Sequence, residues 1–425
     1  MRQMRSRWWI ALAALVAPLA AAAQVVPLPS VPDGLGVPRI GVPSLPLTDR
    51  VVQDVSGLAR DRIARLRNIA RRNPDRIEID RTGNPVRAGE VVMTAPDDAS
   101  IAAATRAGFR LIERSSVEGV DIGFARFAAP RGMSVDRALR EMRKAAPGVE
   151  VSADPLHFGS GTAEASVPQL LRPLPAPAAG EARVGIIDGG VNARLVNARI
   201  VQHGFATGGS VPNDHATGIA VLISGGGGVR GAAPSASLFV ADVYGRDPAG
   251  GNATAIARAL GWMVSQYIPV VTISLVGPFN PLLARTIAAA QAKGVIVVAA
   301  VGNDGPAAPP AFPASYPGVI AVTGVDGRNR ALIEAGRANH LDYAAPGADM
   351  VTLDINGRTV SVRGTSFAAP LVAARLAVIY GSTDLGRYGP AIRQLDGEAQ
   401  DLGPRGPDKS FGRGLVCGTC RTPRK

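Results

Sequence analysis

Four residues in the second half of the chain have the types, order and settings that nucleophilic attack assisted by a base and an oxyanion donor would require. Asp188 follows the apolar run Val184–Ile187, where a buried acid either orients a histidine or caps a strand end. His215 opens an apolar helical stretch and is one of four histidines. It is suited to act as a base, or to sit as a capping residue on the surface. Asn303 lies in the glycine-flanked turn Val301-Gly302-Asn303-Asp304-Gly305, where its amide serves either the turn or a developing oxyanion. Ser366, in Gly364-Thr365-Ser366-Phe367-Ala368-Ala369-Pro370, begins a long apolar helix. Backbone donors and the positive helix end favour negative charge on a serine there; the plainer alternative is an N-cap. Pro370 is expected near the first turn, where a missing N–H costs least. Each residue is ambiguous alone, but together the four fit one acyl-transfer centre.

Such a centre needs a rigid frame. From Arg183 onward short apolar strands (Val184–Ile187, Ser237–Val243, Val270–Leu275, Val295–Ala300, Val319–Val325) alternate with helical stretches at Ala216–Ser224, Ala253–Gln266 and Pro281–Lys293. This alternation predicts an α/β domain over residues 183–416, with a mainly parallel sheet covered on both faces. Sites in such sheets gather at the carboxyl ends of strands, where the four residues fall. Upstream, residues 89–157 follow a β-α-β-β-α-β order, which predicts a small α+β, ferredoxin-like domain. Residues 24–49 and 158–182 are Pro-rich and are expected to be linkers. Between them, 50–88 is basic and partly helical: Val55, Leu58, Leu66 and Ile69 recur at near-helical spacing. Its arginines are expected to form a solvated face, because Asp61, Asp75, Glu78 and Asp80 dilute the patch and no stacking aromatics accompany it.

The 425 residues carry a net charge of +12, spread widely, and only 4% aromatics, so no nucleic-acid partner is expected. Residues 1–23 combine Arg2, Arg5 and Arg7 with an apolar stretch and Ala21-Ala22-Ala23, the pattern of a cleaved export signal. Membrane contact is then confined to that signal before its removal, and the product is secreted, periplasmic or held at the cell surface. Cys417 and Cys420 close the chain in a 417–425 tail. Neither further zinc ligands nor a thioredoxin-like context accompanies them, and an oxidising compartment favours a local disulfide.

Several stretches resemble the subtilisin-like serine peptidases. GTSFAAP (364–370) is similar to the family's nucleophile motif, AAVGNDG (299–305) to its oxyanion loop, and GVRGAAPSASLFVADV (228–243) to the stretch after its histidine helix. FPASYPGVIAVTGVD (312–326) and FGRGLV (411–416) resemble two further segments, so the likeness spans about 183 to 416. The resemblance implies a three-layer subtilisin-like fold and a serine endopeptidase acting on polypeptides. Ser366 would be the nucleophile, His215 the base, Asp188 its orienting acid and Asn303 an oxyanion donor. It also implies substrate binding by the edge Ser274, Leu275 and Val276 and by Gly302, and an inhibitory propeptide at 89–157. Self-cleavage would then fall between about Leu156 and Val167.

Departures from the family pattern concern neighbours of these residues. Gly189 brings no hydroxyl to Asp188, Ala216 is expected to add a methyl beside the cleft, and Val276 stands where glycine is common. The loop Ser224–Gly228 lacks the oxygen ligands of a calcium site, and no other ligand set for a structural calcium is identifiable. The chemistry itself calls for no cofactor or metal. An alternative of another class is a catalytically silent peptide-binding protein on the same fold. Nucleotide binding is disfavoured, since Gly225–Gly228 lacks phosphate-loop spacing.

Overall fold

The computed structural model describes residues 47–159, 161–164, 182–234 and 236–422. The expected export signal and most of the first linker lie outside them, as does much of the second. The first described element is α1 (Leu47–Arg72), which begins within the expected linker. A hairpin of β1 (Ile77–Ile79) and β2 (Pro85–Arg87) follows. Then come β3 (Glu90–Thr94), α2 (Asp98–Arg106), β4 (Arg110–Val117), β5 (Ile122–Ala128), α3 (Val135–Ala145) and β6 (Glu150–Ser152). These four strands pair antiparallel in the order β4-β5-β3-β6, the split β-α-β topology expected of this segment. Their own core gathers Met93, Phe127 and Met142.

Two short strands, β7 (Phe158–Gly159) and β8 (Thr162–Glu164), lead toward the body. The body comprises β9 (Arg183–Asp188), β10 (Ile200–Gly204), α4 (Asp214–Ser224), β11 (Ser237–Asp242), α5 (Ala253–Ser265) and β12 (Val270–Ile273). It continues through β13 (Leu275–Val276), α6 (Pro281–Ala292), β14 (Ile296–Ala300), β15 (Ile320–Val325) and β16 (Tyr343–Pro346). It closes with β17 (Met350–Leu353), β18 (Thr359–Arg363), α7 (Thr365–Tyr380) and α8 (Tyr388–Glu398). Seven strands form a parallel sheet in the order β10-β11-β9-β12-β14-β15-β16.

Side chains alternate across such a sheet, which explains the continuous apolar runs. Val184, Ile186 and Val298 face the layer of α4 and α7, with Leu222 and Leu371. Ile187, Val271 and Val297 face α5 and α6, with Leu260 and Leu283. The outcome is the three-layer α/β fold read from the sequence. No single described helix is long and apolar enough to cross a membrane. Cys417 and Cys420 form a disulfide, and the adjoining tail is tied down where the Arg230 N–H donates to Thr422 Oγ1.

Candidate active site

Asp188 is the last residue of β9, and its carboxylate accepts the Gly189 backbone N–H at 2.8 Å. A β-carbon at residue 189 would collide with the side chain of Asn213. Asn213 in turn caps α4, its Oδ1 accepting the Ala216 N–H at 2.8 Å. The glycine thus makes room for the cap that fixes the start of the histidine helix. The Ala216 methyl, expected beside the cleft, instead packs in the core with Ile219 and Leu222. It follows the inward face of α4, whereas His215 faces outward.

His215 is the second residue of α4, and its Nδ1 lies 3.0 Å from both Asp188 oxygens. Nε2 lies 3.0 Å from Ser366 Oγ. With Nδ1 held as the donor to a carboxylate, Nε2 is the acceptor for the hydroxyl proton. Burial pushes the imidazole pKa down, but the Asp188 charge and its hydrogen bond outweigh burial and leave it raised. The fully buried acid therefore favours the imidazolium that proton transfer creates.

Ser366 is the second residue of α7, whose N-cap is Gly364 at φ +142°. Pro370, expected near the first turn, is the sixth helical residue, just beyond that turn. Its missing N–H would leave the Ser366 carbonyl, four residues back, without its ladder partner. The Ser274 hydroxyl donates to that carbonyl at 2.8 Å. Ser274, expected only at the substrate edge, therefore also completes the helix that carries Ser366. No local sequence signal pairs residues 92 positions apart; the clue was a proline inside an otherwise helical pattern.

Asn303 follows β14, and its Oδ1 accepts the Thr365 N–H at 3.0 Å. This bond fixes which end of the amide is oxygen, so Nδ2 occupies the other branch of the side chain. Thr365 Oγ1 also accepts the Gly302 N–H at 3.1 Å, joining the Asn303 turn to the Ser366 turn. Leu275 and Val276 form β13, the edge expected to receive substrate.

That edge is occupied by the chain itself. Gly159 pairs antiparallel with Leu275, and Phe158 with Val276. Beyond residue 160, Thr162–Glu164 pairs antiparallel with Arg363–Ser361 of β18, immediately before the Ser366 turn. Tyr244 donates its hydroxyl to the His157 carbonyl at 2.8 Å, and the His157 N–H donates to Gly251. Part of the expected 158–182 linker is therefore strand, laid through the cleft. His157 is wholly buried; burial pushes its pKa down to about 4, and the Pro155 and Gly251 carbonyls act the other way without reaching hydrogen-bond geometry.

The basic helix α1 roofs the cleft. Arg62 Nε and Arg65 Nη2 bind the two oxygens of Asp304, next to Asn303, at 3.0 and 2.7 Å. Leu66 is buried, so this helix has a packed face and two of its arginines are paired and not simply solvated. Among the described residues, no group of three or more His, Cys, Asp or Glu is arranged to hold a metal ion.

A parallel α/β body with Asp, His and Ser converging at strand and helix ends is the architecture of a serine hydrolase. Residues 183–414 match the model of the subtilase family, more than half of the chain, and the protein belongs to that family of serine endopeptidases. Subtilisin DY of Bacillus licheniformis is 30% identical over 246 residues, covering 55% of this chain and 88% of the relative. Subtilisin E of Bacillus subtilis is 28% identical over 303 residues, covering 66% and 77%. Among solved structures, fervidolysin of Fervidobacterium pennivorans, a keratinolytic enzyme related to subtilisin, superposes with a TM-score of 0.63 at 18% identity. That match covers 79% of this chain and 61% of fervidolysin, and at 18% identity it speaks for the fold alone.

Proposed function

We propose that this subtilase is exported as a precursor and cuts itself, using Ser366, His215 and Asp188 as triad and Asn303 as oxyanion donor. Ser366 Oγ attacks the scissile carbonyl carbon while His215 Nε2 takes its proton. The oxyanion is held by the Asn303 amide and the Ser366 backbone N–H. As the C–N bond breaks, His215 passes that proton to the leaving nitrogen. Water then attacks the acyl-serine with the same base, releasing the acid and restoring the hydroxyl.

The observation that carries this reading is the substrate-like pairing of Phe158–Gly159 with β13 and of Thr162–Glu164 with β18, which leads into the Ser366 turn. Gly159 approaches His215, and a β-carbon at Gly161 would lie 2.5 Å from Ser366 Oγ. Those contacts support the Gly161 nitrogen as the leaving group, hence cleavage after Ser160. Residues 89–157 would be the inhibitory propeptide, 183–416 the catalytic domain, and polypeptides outside the cytoplasm the substrates.

The test compares the full chain with Ser366→Ala. The unmutated chain is expected to yield a fragment beginning at Gly161 and to react with a fluorophosphonate. The variant should do neither. An unmutated chain that neither processes nor labels would refute the enzyme reading, as would labelling that survives Ser366→Ala.

A further inference from the structure

The cleft is narrow on both sides of the bond it would cut. An ideal β-carbon at Gly159 would lie 3.1 to 3.3 Å from the His215 ring, so this position faces the base. Side chains alternate along an extended strand. In a polypeptide bound in the same register, the next residue, which supplies the acyl group, turns away from His215 toward the wall of Val276 and Gly302.

That wall is closed. A β-carbon at Gly302 would lie 3.3 and 3.6 Å from the two γ-methyls of Val276, and 3.8 Å from the β-carbon of Ala311. Behind it lies a cavity of about 350 Å³ whose walls on the body are Val276, Gly302, Ala311 and Phe312, with Arg62, Thr82 and Asn84 closing it from the N-terminal segment that maturation would remove. Val276 also lines the cleft that contains Asp188 and His215. With Gly277 and Pro278, which also line both, it stands between the cleft and a space large enough for an aromatic side chain, and of the three it alone sets its methyl groups against Gly302.

On the leaving side the obstacle is Phe367. A β-carbon at Gly161 would meet its Cε2 at 2.6 Å and Ser366 Oγ at 2.5 Å. Phe367 is buried, with its ring tilted against His215 at 5.3 Å between centroids, so it has little room to withdraw. The chain's own Gly159-Ser160-Gly161 is small throughout.

We propose that Val276 and Phe367 restrict this peptidase to bonds flanked by small residues, Val276 on the acyl side and Phe367 on the leaving side. The proposal rests on the endopeptidase reading above. The test uses enzyme matured from the full chain and internally quenched peptides that differ only at the residue before or after the cleaved bond. With alanine or serine before it, kcat/KM should exceed that with phenylalanine by about 10- to 100-fold. Val276→Gly should raise the phenylalanine-to-alanine ratio of kcat/KM by about tenfold or more, whatever the absolute rates, and Val276→Ala by less. Phe367→Ala should raise the leucine-to-glycine ratio on the leaving side. Fluorophosphonate labelling counts active sites in every variant, so a misfolded one is recognised. Native enzyme that cleaves after phenylalanine as well as after alanine overturns the proposal. So do ratios that stay put in both Val276 variants. Failure of the native chain to label sinks the endopeptidase reading instead, before any substrate is added.

Discussion

Inside the seven-stranded body, Leu222, Leu260, Leu371 and Tyr380 are wholly buried among apolar neighbours. Where the four-stranded N-terminal unit meets that body, contacts are of another kind. Val92, Val117 and Phe124 give an apolar centre against α5. Around it, Arg76 and Arg87 share Asp247 at 2.8 and 2.9 Å, and Arg285 binds Glu150 at 2.8 Å. Asp154 accepts the Thr254 N–H at the start of α5, a favourable place for a carboxylate. Asn280 donates to the Ala153 carbonyl at 3.1 Å. Polar, charged boundaries of this sort part more readily than apolar cores, and their strength follows pH and salt. The body is built to persist, while its junction with the N-terminal unit is built of contacts that water can replace.

Substitutions within the body should be severe. Asp188→Asn is expected to lower kcat by about 10⁴-fold, a magnitude carried over from serine peptidases with the same triad. It should also move the acid limb of the kcat/KM profile to lower pH, since the charge that raises the His215 pKa is gone. An acid limb that stays in place would uncouple Asp188 from the base. Leu371→Ala should cost about 2–5 kcal/mol in denaturant unfolding of the Ser366→Ala precursor. A loss under 1 kcal/mol would mean that the α7 layer is looser than its burial implies.

At the junction, two buried groups should oppose one another as pH changes. His157 has a pKa of about 4 when docked against an ordinary 6.5, so its contribution is full above 6.5 and is lost as pH falls toward 4. Asp154 is pushed up by burial to about 6 from 3.8, with the Thr254 N–H and Arg87 opposing and Glu90 adding to the rise. Its contribution is present below 3.8 and is lost as pH rises through about 6. Each amounts to about 3 kcal/mol at most, with opposite sign over nearly the same range. Docking in the Ser366→Ala precursor should therefore vary little between pH 4.5 and 6.5. His157→Gln should make it tighten as pH falls, and Asp154→Asn should make it weaken. Urea midpoints at three pH values check this, and parallel curves for both variants would contradict it.

The smallest effect belongs to α1. Arg62→Ala with Arg65→Ala removes both partners of Asp304, half-exposed pairs worth about 1 kcal/mol together. Hydrogen exchange in α1 should quicken while the body is unchanged, and about 0.5 M salt, which screens strongly, should mimic part of the loss. Protection equal to that of the parent would show that Leu66 and its neighbours hold the helix unaided.

Much of this was visible in the sequence because it depends on local pattern. Asp188, His215, Asn303 and Ser366 each sit beside an apolar run whose period announces the strand or helix that carries them. The four-stranded unit was legible for the same reason, through Val135, Leu139 and Met142 on one face of α3. What escaped depends on pairs far apart in the chain. Arg62 and Asp304 are 242 residues apart, and nothing near Arg62 marks it as paired rather than solvated. Gly189 looked like a missing hydroxyl, while its meaning lies in the volume taken by Asn213. Val276 was legible as unusual, but only the cavity behind it indicates what its methyl groups exclude.

The hydroxyl that Ser274 lends to the Ser366 carbonyl joins the start of β13, the proposed substrate edge, to α7, which carries the proposed nucleophile. A peptide that pulls β13 out of line would then be expected to shift Ser366 as well. Fit along this edge should then govern how fast a bound peptide is cut as well as how tightly it is held, so that poor substrates fail in turnover more than in capture.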